Sequence, residues 1–223
     1  MQALTASRPG TIEQADRRTH VRLAGLLYLI IIICGIGSEV GLRAPILSAD
    51  DPTTALAQGA GAIRLSLLAD SVMMLADVAL ALVFFSLLRG VHEGLARAAM
   101  VFRLMQAAVI GASLIFLSAV PELAQAGETA LALQMAAMHA TGYDIGLIFF
   151  GVNAGIMAWL LHQSGGVPRV LTGAIALSGL VYLTGSALRL AAPELVAVFA
   201  PAYLVPLLAE TGLCLWLLIR ARV

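Results

Sequence analysis

Residues Leu67–Leu88 read LLADSVMMLADVALALVFFSLL, a run with two ionisable side chains, Asp70 and Asp77. As a helix it rises about 33 Å, enough to cross the ~30 Å hydrocarbon layer of a bilayer. A charge at the centre of such a helix costs at least ~2.5–3.5 kcal/mol on insertion scales, so both aspartates must face a protein interior. They are seven positions apart and therefore share one helix face, with the adaptable thioethers of Met73 and Met74 between them. The stretch predicts a membrane-spanning helix carrying a polar stripe.

Working outward, five more runs have the length and apolarity to cross. The six spans are placed at Val21–Leu42, Ala62–Leu88, Leu95–Val120, Met138–Leu161, Val170–Leu190 and Val196–Ile219. The composition agrees: 61% of residues are hydrophobic, 12% are charged and the mean hydropathy is +0.96. Soluble domains lie nearer half apolar and a quarter charged. Thirteen basic residues, all arginine, balance thirteen acidic ones, so there is no basic stripe for nucleic acid and no lysine for Schiff-base chemistry. Cys34 and Cys214 sit inside apolar runs, where a thiol behaves as a small hydrophobe.

The expected fold is an all-α integral membrane protein: a six-transmembrane-helix bundle over residues 21–223, behind a polar leader, Met1–His20, expected to be disordered. Arg8, Arg17, Arg18, Arg22, Arg89, Arg97, Arg169, Arg220 and Arg222 fall on one side of the membrane, against Arg43 and Arg189 on the other. That asymmetry places both termini in the cytoplasm. The connection Arg43–Gly61, with Asp50-Asp51-Pro52, reads as an exposed, turn-rich outer loop. Glu128–Ala137 reads as a short surface helix leading into the fourth span. Two small-residue pairs, Gly37 with Gly41 and Gly151 with Gly155, have the spacing of close helix packing.

Depth arithmetic sorts the ionisable groups inside the spans. At 1.5 Å per residue, Asp77 lies about 22 Å, Glu210 about 21 Å and Arg103 about 18 Å from the outer face. Two carboxylates and one guanidinium thus share a depth, and they are the candidate catalytic groups. A neutral buried acid beside an ionised partner is how acid–base chemistry runs near pH 7. Nearer the outer face lie Glu39, Asp70, His139 and Asp144, expected to line a polar vestibule; with Met73, Met74 and Asn153 they form the candidate substrate-binding set. Pairs such as Asp77–Arg103 or Glu39–Arg64 also serve simply to fix a bundle's register. Pro201 and Pro206 interrupt the ladder of the sixth span. Tyr28, Trp159 and Tyr182 read as packing or interface residues.

At the fourth and fifth spans the sequence resembles a known family. The residues that carry this are Leu147-Ile148-Phe149-Phe150-Gly151-Val152-Asn153, Trp159-Leu160-Leu161-His162-Gln163-Ser164-Gly165, Val167-Pro168-Arg169-Val170-Leu171 and Gly179-Leu180-Val181-Tyr182-Leu183, with Arg22–Leu29 similar to the opening helix. The family is a bacterial membrane-protein domain of unknown function, number 4386. The resemblance implies the six-helix architecture and a multi-pass place in the bacterial cytoplasmic (inner) membrane. It implies no activity.

His139 is the one histidine well inside a span, so no three-histidine zinc site can form. Phosphate cradles, a Ser-His-Asp order with an elbow glycine and paired haem histidines are lacking too, so no metal or cofactor is expected. Three classes of function fit. An enzyme would run isomerase, cyclase or hydratase chemistry on an apolar, lipid-soluble small molecule. A proton-coupled transporter would use the acids as a relay. An accessory or sensory subunit would keep its charges as structural pairs. The expected partners are membrane lipid or an apolar small molecule, with a homodimer or larger membrane assembly.

Overall fold

The structure is a computed structural model, which describes residues 9–223. Helix α1 (Pro9–Ile36) runs into a π-helical turn, Gly37–Arg43, and a short α2 (Ala44–Leu47). Helix α3 (Pro52–Gln125) is followed by α4 (Thr129–Ser164) and α5 (Arg169–Ala191). The last crossing region is broken into a 3-10 turn (Pro193–Leu195), α6 (Val196–Phe199), a second 3-10 turn (Ala200–Tyr203) and α7 (Leu204–Arg220). Among the described residues every element is helical. Five helical stretches among these residues are long and apolar enough to cross a membrane.

Two elements depart from the sequence expectation. Residues 9–20, placed in a disordered leader, are helical and continuous with the first apolar run; the first eight residues of that leader lie outside the described ones. The outer loop is also more ordered than its turn residues imply, since 44–47 and the residues from Pro52 onward are helical. Asp51 starts α3. Its carboxylate accepts the Thr54 backbone N–H at 3.3 Å, satisfying one of the free donors of a first turn, and Pro52 at the first helical position needs no such partner. Hydrogen bonds from the Thr54 side chain and backbone hold the Asp51 carboxyl below the usual carboxylate range.

Helix α3 spans 74 residues, about 110 Å if straight. It does not run straight. His92 has extended backbone angles (φ −159°, ψ 100°), and there the helix turns back on itself. Arg64 reaches Glu122 at 3.0 Å and Arg103 reaches Asp77, so residues 52–91 and 93–125 lie antiparallel. The His92 ring helps to make the corner: its Nδ1 accepts the Leu95 backbone N–H at 3.1 Å, and the ring packs edge-on against Trp159.

The elements close into a ring, with α4 on α3 and α5, α7 on α5 and α1, and α1 back on α3. A large apolar core, including Leu80, Phe84, Leu88, Leu160, Leu161, Leu213 and Leu217, fills the half of the bundle near His92. A smaller one around Leu56, Ile63, Leu117 and Val120 lies at the opposite end. The outward surface is apolar, with Leu75, Ile115, Leu208 and Ile219 exposed, as a lipid-facing bundle requires. Helices α4 and α5 cross so closely that a Cβ on Gly179 would lie 2.7 Å from the Gly151 carbonyl oxygen. Gly179 thus packs on the α4 backbone at Gly151 and also at Gly155, whose nitrogen would lie 3.3 Å from the same Cβ, although a Cβ added to Gly155 itself meets nothing. Gly37 and Gly41 also meet nothing, so their spacing is a feature of the π-helical turn and not a packing motif.

Candidate functional site

The deep cluster forms around Arg103, in the second half of α3. Its Nε donates to Asp77 Oδ1 at 2.9 Å, and Nη2 lies 2.6 Å from the same oxygen without the alignment of a hydrogen bond. Gln106 Nε2 donates to Asp77 Oδ2 at 3.3 Å. Asp77 and Arg103 are both buried, so each neutralises the charge the other brings into a medium without water. The guanidinium is also flanked by the Tyr28 and Phe150 rings, with centroids 5.4 and 5.2 Å away. Such faces favour a cation electrostatically.

Glu210, on α7, shares this neighbourhood but not the ion pair. Its Oε1 accepts the Tyr182 hydroxyl at 2.6 Å, and among the described residues no cation lies within ion-pair reach of it. Between Arg103 and Glu210 is a cavity of about 10 Å³, bordered by Tyr28, Asn153, Ser178 and apolar walls. That is room for roughly one water, with polar groups enough to hold it. A second cavity of the same size lies on the other side of Arg103 and Asn153. Asn153 itself is buried and ties helices together: its Nδ2 donates to the Ala99 carbonyl at 2.7 Å. Tyr182, which the sequence offered as a packing residue, is thus the hydrogen-bond donor to the one carboxylate of the cluster that lacks a cation. The signal available was general: a phenol inside a span needs a partner.

The outer groups gather at the π-helical turn. Asp70 is fully buried and accepts Ser38 Oγ at 2.5 Å, and it is in direct ion contact with Arg43. Arg43, buried as well, also reaches Glu39 at 2.7 Å, while the Glu39 side chain is 64% exposed. A wide π turn is a frequent mark of functional sites, and here it places Ser38, Glu39 and Arg43 around one carboxylate. The Glu39–Arg64 pair read from the sequence does not form: Arg64 pairs with Glu122 and Glu39 with Arg43. Ser38 and Arg43 went unread as ligands of Asp70, although the four-residue spacing of Glu39 and Arg43 was a usable clue.

His139 and Asp144, both buried, point to different partners. His139 Nδ1 lies 2.9 Å from Ser113 Oγ, and Asp144 is in ion contact with Arg189 of α5. Met73 and Met74 line the face of α3 between Asp70 and Asp77, where the Tyr143 hydroxyl sits 4.0 Å from the Met73 sulfur. Among the described residues, no group of three or more His, Cys, Asp or Glu side chains has the arrangement to hold a metal ion.

An all-helical bundle with an apolar exterior, helices of membrane-crossing length and charges paired inside it defines a multi-pass membrane protein. The chain belongs to the family described as domain of unknown function (DUF4386), whose model matches residues 23–221. No curated protein and no solved structure matches it.

Proposed function

We propose that this is a six-crossing protein of the bacterial inner membrane, with cytoplasmic termini, that binds and releases a proton at Glu210. The fold-back of α3 at His92 supports six crossings, because each half is longer than the ~20 residues a span needs. One observation carries the proton reading. Two carboxylates share a buried neighbourhood with one guanidinium, and that guanidinium is committed to Asp77. An ionised Glu210 would be a buried charge without a counter-charge, which costs several kcal/mol on the order expected for a desolvated ion. Glu210 therefore holds a proton at rest and gives it up only when a stronger acceptor or an added positive charge arrives. Tyr182 donates to Oε1 in either state, leaving the proton on Oε2. Asp77 and Arg103 supply a fixed dipole beside it, and the small cavity has room for one water to carry the proton.

Proton handling is favoured over direct chemistry on a substrate because a pocket for a small molecule needs about 300 Å³ or more. The apolar walls of the cavity, Phe84, Phe150, Ile175 and Leu213, favour a second reading: when the helices part, an apolar, lipid-soluble molecule enters and takes its proton from Glu210 in an isomerase-, cyclase- or hydratase-type step. Infrared titration of the purified protein in phosphatidylcholine nanodiscs tests the proton reading. A protonated-carboxyl C=O band that bleaches as pH rises, and is missing in Glu210→Gln, is the expected result. If the band persists unchanged in Glu210→Gln, or never appears, the charges are scaffolding and the subunit reading takes over.

A further inference from the structure

The outer cluster has the same charge imbalance as the deep one. Glu39 and Asp70 bring two negative charges to the single positive charge of Arg43. Beside them stands a group able to make up the difference. Ser113 Oγ lies 2.7 Å from the Ile110 carbonyl and 2.9 Å from His139 Nδ1, so when its proton serves the carbonyl its oxygen accepts from Nδ1. In that arrangement His139 is neutral with its proton on Nδ1 and a basic lone pair on Nε2.

Resting on the proton reading of Glu210, we propose that His139, with the Glu39–Arg43–Asp70 chain, is a second proton-binding site that loads Glu210 from the membrane face bearing Glu39. The charged groups acting on His139 are Glu39 and Arg43 from the π-helical turn and Asp70 from the first half of α3. Ser113 meets it from the second half of α3, and Tyr143 lies edge-on to it at 6.1 Å on its own helix. A proton taken at Nε2 turns the ring into a double donor and brings the cluster to neutrality. The way inward follows the Asp70–Asp77 face of α3, where Met73 and Met74 pack with Ala107, Ile110 and Tyr143, to Arg103 and the cavity beside Glu210, so the proton passes when that apolar packing parts. On the opposite side of Glu210 the large apolar core closes the bundle. The proton arriving at Glu210 is the one that leaves His139, so charge and atoms balance with no further reactant.

Stopped-flow infrared spectroscopy after a pH drop reads the loading step directly. In His139→Gln the Glu210 carboxyl band should reach full amplitude but form at least about tenfold more slowly, equivalent to ~1.4 kcal/mol in the barrier. In wild type, the ¹⁵N ring resonances of His139 should report a change of charge as the pH is lowered. Band formation at the wild-type rate in folded His139→Gln overturns the second site. So does a His139 ring that stays neutral throughout, a measurement that needs no variant to fold. A wild-type protein without any Glu210 band sinks the proton reading itself, a different result from either.

Discussion

Replacing Arg103 by leucine strands the buried Asp77 without its cation, with Gln106 its one remaining hydrogen-bond donor among the described residues. Breaking a buried pair in this way costs about 3–5 kcal/mol, whereas deleting both charges is often close to neutral. Arg103→Leu should accordingly melt far below wild type in detergent, and adding Asp77→Asn should restore much of the loss; equal melting temperatures for the single variant and wild type would remove the pair from the ledger of stability. The Asp77–Arg103 contact was legible because both residues sit in regular α-helix, where depth follows from counting. Glu210 was legible in depth but not in partner, because counting along an axis gives no rotation about it. The contact of Asp70 with Ser38 was out of reach for another reason: the residues that supply it belong to a π-helical turn, and the 3.6-residue period on which sequence reading depends fails there.

At the scale of elements, the close approach of α4 and α5 rests on two glycines that look alike in sequence to others nearby. Gly179→Val should force the helices apart or strain them, at about 1–3 kcal/mol as overpacked cores show. Gly155→Ala, whose added methyl meets nothing, should be silent. A thermal-shift comparison of the two separates a real crossing from a mere spacing motif, and equal stability for both would mean that α4 and α5 are not held this closely. The helices themselves were legible from length and apolarity. The joint at His92 was legible in place, between the spans set at Leu88 and Leu95 and flanked by Gly90 and Gly94, but its extended backbone angles and side-chain cap were not. Pro201 and Pro206 did announce a break, and the chain there passes through two 3-10 turns before α7 becomes regular.

For the whole molecule, the proposed orientation puts the Thr53 end outside and the His92 end in the cytoplasm. Thr53 is exposed, and its hydroxyl accepts from Thr129 across the two connections at that end. In the otherwise retained sequence, Thr53→Cys should react with a membrane-impermeant maleimide added to intact cells; protection until lysis would reverse the orientation. The apolar exterior and the count of charges made the membrane class plain from composition alone, while the division of the interior, with the charge clusters lying between an apolar core at each end, was not legible there. The π-helical turn bears on this division in a mechanical way. Closing its rings takes one residue more than an α-helix does, so α1 meets the rest of the bundle out of phase by a single residue. Drawing that slack out would restore an ordinary helix and rotate Arg43 about 100° away from Asp70. The ion contact at the heart of the outer cluster thus depends on one extra residue in a seven-residue turn.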